Sequence, residues 1–333
     1  MKIVVTGGAG FIGSTVIKLA LKQNYKILNI DSLSYAGNTN NLKCLSNNEN
    51  YKFKKINILN FKKILEAIED FKPNYLMHLA ACSHVDNSIS SPLEFIKVNI
   101  EGTFNLLEVS RSLLKKSKLP KNFRFHYVST DEVYGSLKKN DFFDEDSNIN
   151  PRNPYSASKA SAEHLVKSWG NTYNLPFLIS NCSNNYGPFQ HPEKLIPKVI
   201  INALLNKKIP IYGNGKNIRD WLHVYDHAYC LLQLVKKGKL YESYNIGCNN
   251  EITNIALVKK ICRILDKKNK NKNSHLDLIT FINDRAGHDQ RYAINPKKIN
   301  NLLDWQPDIN FQEGLNNTID WYIGNRHWWK NLI

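Results

Sequence analysis

Short unbroken apolar runs alternate with amphipathic stretches through the first half of the chain. The runs at residues 2–6, 26–30, 51–56, 75–79, 124–129 and 177–181 predict strands. Helical periodicity fills the segments between them, at 13–23, 61–70, 93–116 and 155–173. Strands that are apolar on both faces and separated by helices predict an α/β fold with a doubly wound, mostly parallel sheet. From residue 186 the texture changes: loops dense in Gly, Pro and Asn, such as 185–188 and 212–215, alternate with short helices. The expected division is a domain over 1–185 and a smaller C-terminal domain over 186–333, with some of its segments returning to the first. Residues 141–146 and 267–274 read as polar solvent loops.

Composition narrows the class. The 333 residues are 42% hydrophobic and 11% aromatic, enough for a full globular core. No apolar run reaches the roughly 20 residues that span a bilayer, so no membrane partner is expected. A strand starting at Lys2 leaves no room for a leader, which points to the cytoplasm. The net charge of +16 comes from dispersed Lys accompanied by Asn, not from a basic stripe, so no nucleic-acid partner is expected. Six cysteines show no CxxC or His-paired metal spacing and read as free thiols, with no metal site.

The chemistry begins at Gly7-Gly8-Ala9-Gly10-Phe11-Ile12-Gly13, which leaves a strand and opens a helix. Missing side chains let the backbone approach a pyrophosphate, and the helix N-terminus offers partial positive charge. Asp31 follows Gly13 by eighteen residues at the end of the second strand. A carboxylate there accepts from an adenosine ribose and repels a 2′-phosphate, which favours NAD over NADP in a Rossmann-type domain.

Tyr155 and Lys159 are one helical turn apart and share a face, with Pro151 and Pro154 breaking the chain before them. A nearby ammonium is expected to lower the phenol's pKa and equip it to deprotonate a hydroxyl. Asp131 and Glu132 stand side by side after Thr130. Adjacent carboxyls push each other's pKa values apart, which suits an acid and a base at one site.

These motifs resemble the extended short-chain dehydrogenase/reductase family, and within it the nucleotide-sugar 4,6-dehydratases. The matching stretches continue through 31–38, 78–81, 83–86, 129–135, 181–188, 192–197, 219–221, 244–247 and 284–292. The resemblance implies that Tyr155 and NAD oxidise C4 of a nucleotide-diphosphate hexose while Thr130 bonds the C4 oxygen. It gives Glu132 the C5 proton and Asp131 the departing C6 hydroxyl, yielding a 4-keto-6-deoxy sugar. The cofactor would lie against Gly7, Gly10, Phe11, Ile12, Gly13, Asp31, Ser32, Leu33, Ser34, Asn57, Ile58, Leu79, Ala80, Ala81, Ser83, Val98, Tyr155, Lys159 and Asn185.

The same resemblance assigns the substrate to Ser83, Thr130, Asn184, Lys194, Leu195, Pro210, Ile211, Tyr212, Arg219, Asn254, Asp284, Arg285 and His288. It implies a dTDP-hexose, with UDP- and GDP-hexoses as alternatives, and a homodimer formed through helices carrying Phe104, Leu107, Leu114, Leu165 and Trp169. Two positions depart from the family pattern: Cys82, where Glu is usual, and Asn57, where Asp would meet the adenine. A 4-epimerase or decarboxylase on the same scaffold needs Tyr155 and Lys159 but not the Asp131-Glu132 pair. A non-catalytic regulator would be expected to have lost Tyr155 or Lys159.

Overall fold

The structure is a computed structural model that describes the chain apart from residues 139–140 and 270–272. Its centre is a seven-stranded sheet in which every neighbouring pair is parallel. In spatial order the strands are Glu242–Ile246, Phe177–Cys182, Arg124–Thr130, Tyr75–His78, Lys2–Thr6, Lys26–Asp31 and Tyr51–Lys55. Six were predicted from the sequence to within one residue at each end. The strand Glu242–Ile246 arrives from the C-terminal half and pairs in register with Phe177–Cys182.

Apolar layers cover both faces, as unbroken apolar strands require. On one face Val16, Ile17 and Ala20 of the helix Phe11–Lys22 pack with Leu231, Leu234 and Val235 of the helix Val224–Lys237. On the other, Ile64 and Ile68 of Phe61–Phe71 meet Leu106 and Leu113 of Gly102–Lys115 and Ala162 and Val166 of Pro154–Tyr173. A third core lies in the C-terminal half, where the helices Leu195–Leu204 and Phe311–Gly324 bury Ile196, Ile200, Leu315 and Ile319 around Trp329. Beside it are a three-stranded sheet of Glu251–Thr253, Ile218–His223 and Asn184–Tyr186, and a parallel pair, Ile209–Tyr212 with Ile279–Ile282.

Three expectations change. The continuous helix over 93–116 is broken into a turn at Pro92–Phe95, a π-helical stretch at Ile96–Glu101 and an α-helix from Gly102. Gly102 faces the Ile58 side chain so closely that a Cβ would sit 2.4 Å from it, and in the wider π turn Val98 lines the cleft while Asn99 bonds Cys82 and Ser158 behind it. The 141–146 segment is exposed at Asp141, Phe142, Asp144 and Asp146, as a solvent loop would be, but is anchored through the other two residues. Phe143 stacks on Tyr134 at 5.1 Å and bonds to Ala293, while Glu145 accepts from the Asn245 amide at 2.8 Å. Of the 267–274 stretch, residues up to 269 complete the helix Asn254–Asn269, Ser274 caps a 3-10 turn, and 270–272 lie outside the described residues.

Candidate active site

The carboxyl ends of the parallel strands open onto one cleft. That is where open α/β sheets bind ligands, because loops diverge there and helix N-termini converge. Gly7, Gly10, Phe11, Ile12 and Gly13 form one wall, with Asp31, Ser32, Ser34, Asn57, Ile58, Leu79, Ala80, Ala81, Ser83 and Val98 beyond them. Thr130, Asp131, Glu132, Tyr155, Lys159, Asn184, Asn185, Lys194 and Leu195 complete it from the other side.

The first turn is built around absent side chains. Gly7 has φ +73°, and a Cβ on it would lie 2.7 Å from the Ala80 backbone; one on Gly13 would lie 2.3 Å from the Gly7 carbonyl. Gly10 meets only the Gly7 oxygen, at 3.3 Å, so its missing side chain leaves room on the cleft side. Buried Asp31 accepts from the amides of Ala9 at 2.9 Å and Leu33 at 2.8 Å, which fixes both carboxylate oxygens against the turn. Each oxygen retains acceptor capacity toward the cleft it lines. This cradle and carboxylate fit a dinucleotide.

Leu33 does not line the cleft; its amide instead orients Asp31, and its φ of +55° bends the chain there. Asn57 caps its own loop by accepting from the Leu59 amide at 2.9 Å. The Asn185 side chain is committed within the protein, donating to the Ser183 carbonyl at 2.9 Å and meeting His227 at 2.8 Å.

Asn153 and Pro154 start the helix that carries Tyr155 and Lys159, with a reciprocal capping box between Asn153 and Ser156. Asn99 ties this helix to the cleft floor. It donates to Ser158 Oγ at 2.8 Å and to the Cys82 carbonyl at 3.0 Å, and accepts from the Cys82 amide at 2.8 Å. Lys159 Nζ donates to the Val128 carbonyl at 2.8 Å and lies 4.2 Å from the Tyr127 ring centroid. Burial pulls its pKa down to about 8 against the opposing pull of Glu163. The Tyr155 phenol is held well above its ordinary value, by burial first and then by Glu132 and Cys182. The expected lowering by Lys159 is not found: burial and the neighbouring acidic groups raise the phenol instead.

The strand Arg124–Thr130 ends in a 3-10 turn, Asp131–Tyr134, capped by Thr130 Oγ1 accepting from the Glu132 amide at 3.3 Å. Asp131 is 1% exposed, and its Oδ2 has no partner. Burial, then the charges of Glu132 and Asp220, hold its carboxyl well above the usual range beside Glu132, which favours the protonated form. Cys82 lines the cleft near the Glu94 carboxylate, and burial pushes its thiol up to about 12.

The remaining predicted residues lie outside that wall. Pro210 and Ile211 sit in the strand Ile209–Tyr212, and Asn254 opens the helix that follows Thr253. Tyr212 donates to Asp86 Oδ2 at 2.8 Å, Arg285 approaches Asp86 Oδ1 at 3.8 Å, and His288 pairs with Asp284 at 2.6 Å. Buried Arg219 donates to the carbonyls of Ile218 and Asp289 and stacks 4.2 Å over the Tyr292 ring. Sequence reasoning missed Cys182, Glu193, Trp221 and Trp328 in the cleft wall, and Tyr292 beside Glu132. Cys182, Glu193, Trp221 and Tyr292 fall within the matching stretches 181–188, 192–197, 219–221 and 284–292, whereas Trp328 lies outside all of them.

Comparison with known proteins finds dehydratases among the more similar relatives and 4-epimerases, at 25–28% identity and a TM-score of 0.86, among the solved structures. The family model for GDP-mannose 4,6 dehydratase matches residues 4–318. A dTDP-glucose 4,6-dehydratase from Escherichia coli is 48% identical over 349 residues, covering 100% of this chain and 96% of that protein. The Bacillus anthracis dTDP-glucose 4,6-dehydratase, solved with NAD, superposes with a TM-score of 0.89 at 43% identity, each chain covered in full. DesIV, the dTDP-glucose 4,6-dehydratase of Streptomyces venezuelae, gives 0.93 at 35% identity, again over the whole of both chains. This chain belongs to the nucleotide-sugar 4,6-dehydratase family, in its dTDP-glucose 4,6-dehydratase branch.

Proposed function

We propose that this chain converts dTDP-glucose to dTDP-4-keto-6-deoxyglucose, a deoxysugar precursor, and keeps NAD bound throughout. The observation that carries the reading is a buried Asp131, with one oxygen unpartnered, next to Glu132 in the cleft that Tyr155 and Lys159 also line. An epimerase or decarboxylase has no use for that pair.

NAD, when bound, supplies an oxidised ring that takes up hydride from C4 and later returns it to C6, and its positive charge favours the deprotonated phenol. Gly7, Gly10 and Gly13 would hold its pyrophosphate, and Asp31 its ribose. Tyr155 accepts the C4 hydroxyl proton, Lys159 sustains the phenolate, and Thr130 bonds the C4 oxygen. The ketone acidifies C5–H, and Glu132 removes that proton. Asp131 gives its proton to the C6 hydroxyl, which leaves as water. A hydride then enters at C6 and a proton re-enters at C5, so the net change is loss of one water. General acid–base steps of this kind each contribute about 10²–10⁴-fold.

Residues 1–185 form the cofactor half and 186–333 mainly the substrate half in this reading. Lys194, whose ammonium donates to the Ser83 carbonyl at 2.8 Å, and Arg219 and Arg285 supply the cations a diphosphate requires, while burial lowers the His288 pKa and leaves it a neutral hydrogen-bonding group.

The working form is a homodimer. Leu93 at 60%, Ile96 at 51%, Tyr173 at 48% and Phe104 at 40% exposure line the outer side of neighbouring helical segments, more apolar surface than solvent-facing helices usually carry. Leu107 lies in the core and Leu114, Leu165 and Trp169 pack against it, so Phe104 is the member of the expected set left for a partner. The compartment is the cytoplasm, where the free thiols of Cys82, Cys182, Cys230 and Cys262 stay reduced.

Incubating the pure protein separately with dTDP-, UDP- and GDP-glucose and assaying for the 4-keto-6-deoxy product tests the assignment. Turnover is expected with dTDP-glucose. Preference for the UDP or GDP sugar would move the chain to another branch, and epimerised sugar without loss of water would overturn the reading.

A further inference from the structure

Tyr155, Lys159 and Glu163 repeat every fourth residue along the helix Pro154–Tyr173, and all three are buried on one face. Glu163 is 2% exposed and belongs to none of the catalytic steps above. A carboxylate so buried is costly unless paired and hydrogen-bonded. Its Oε1 accepts from Ser129 Oγ and from Asn181 Nδ2, the latter at 2.7 Å. Asn181 also donates to the Thr130 carbonyl at 3.2 Å. The two strands that end at Thr130 and Cys182 are thus pinned to the helix through one carboxylate.

We propose that Glu163 is a positioning residue for proton transfer at Tyr155, serving as the buried counter-charge of Lys159 and as the anchor of the Ser129–Asn181 strut beneath Thr130. The proposal rests on the C4-oxidation reading above.

The groups around Lys159 show why a counter-charge is needed. Its own helix contributes the neutral Tyr155 phenol and Glu163, with Lys167 acting on Glu163 from beyond. The strand Arg124–Thr130 contributes the Tyr127 ring and the Val128 carbonyl, Phe177–Cys182 the protonated Cys182 thiol, and Tyr75–His78 the neutral His78. Glu163 is first among the groups that oppose the loss of the Lys159 proton, and its pull leaves Lys159 near pH 8 despite burial. Without that charge, burial would face less opposition and the Lys159 pKa should fall further.

The test compares Glu163→Gln and Glu163→Asp in the NAD-loaded enzyme. Gln retains a carbonyl that can accept from Ser129 and Asn181, so circular dichroism and thermal melting should stay close to wild type. The alkaline limb of kcat/KM should move down by about 0.5–1 pH unit, giving a loss at pH 8 that is about 3–10-fold larger than at pH 6.5. Glu163→Asp keeps the charge, so its limb should stay near that of wild type even if the rate falls. An equal loss at every pH in Glu163→Gln, or equal displacement in both variants, overturns the proposal. Titrating ¹⁵N-lysine-labelled wild type and Glu163→Gln side by side, followed by NMR, isolates the counter-charge: Lys159 should titrate lower in the variant, and an unchanged value refutes the proposal. Absence of 4-keto-6-deoxy product from wild type would instead sink the reaction assignment and leave the titration result standing.

Discussion

The hydroxyl of Tyr292 lies 3.5 Å from Oε2 of Glu132 and 2.5 Å from Oδ2 of Asp289. The proposed base is therefore touched by a side chain 160 positions away, from the half of the chain assigned to substrate. Its neighbour Asp131 points into a buried setting with one oxygen unpartnered. Two consecutive carboxyls thus stand in unlike surroundings, which is what separate acid and base roles require.

That separation should show in single substitutions. Glu132→Gln is expected to lower product formation by about 10²–10⁴-fold and to abolish solvent exchange at C5, with NAD still bound. Asp131→Asn should spare C4 oxidation and slow elimination, so reduced-nicotinamide absorbance should build up when substrate is added. Stopped-flow absorbance with exchange measured by NMR distinguishes the two. Equal loss of the absorbance rise in both variants would mean that the pair serves binding or folding.

The glycine turn makes a second, sharper contrast. Gly10→Ala adds a methyl whose nearest neighbour is 3.3 Å away, at a residue with φ −77°, so folding should be little affected. It should nonetheless weaken NAD binding, because the methyl stands where the pyrophosphate must approach. Gly13→Ala puts its Cβ 2.3 Å from a backbone oxygen and should cost about 1–3 kcal/mol of stability as well. Thermal melts with and without NAD separate these outcomes; equal destabilisation of the NAD-free proteins would contradict the assignment of Gly10 to the ligand.

Acid should destabilise the fold through buried histidines. Burial holds His126 and His227 at about 3, against 6.5 in the unfolded chain. Between those values the unfolded state binds protons that the folded state refuses, so stability present above pH 6.5 is lost as pH falls, by about 1.4 kcal/mol per unit for each group. Asp131 and Glu163, whose carboxyls are raised by burial, act in the opposite sense. The difference between wild type and His227→Gln isolates the histidine contribution. Urea unfolding at pH 7 and pH 5 should show a slope shallower by about one proton in the variant. Identical slopes would show that His227 does not refuse the proton.

Phe104→Glu, or Leu93→Glu with Ile96→Glu, should convert the proposed dimer to monomers without unfolding them, because these side chains are exposed in the single chain. Light scattering at micromolar concentration should give about twice the chain mass for wild type and one chain mass for the variants. A monomeric wild type would remove the dimer.

Much of this was legible in the sequence because it is local. Apolar strand runs, the glycine turn and the Tyr155–Lys159 spacing each sit within a few residues, and each set its element to within a residue or two. What escaped depends on distant partners. Nothing in 242–246 alone says that it pairs beside Phe177–Cys182, although a return to the sheet was foreseeable. The π turn at Ile96–Glu101 ends at Gly102, which packs on Ile58, a contact across 44 positions. Phe143 and Glu145 read as polar loop because their partners, Tyr134 and Asn245, are not adjacent in the chain. The raised phenol of Tyr155 escaped as well, since residue spacing reports a neighbouring charge but not the burial that outweighs it.

The central claim is that hydride lent at C4 comes back to the same sugar at C6. The most direct test uses dTDP-glucose deuterated at C4, incubated with the purified protein and no added coenzyme, with the product read by NMR and mass spectrometry. The account predicts deuterium at C6 of the 4-keto-6-deoxy product, transferred within one molecule. Deuterium found in free reduced coenzyme, with a 4-keto sugar that keeps its C6 hydroxyl, would contradict it and make the protein a simple dehydrogenase.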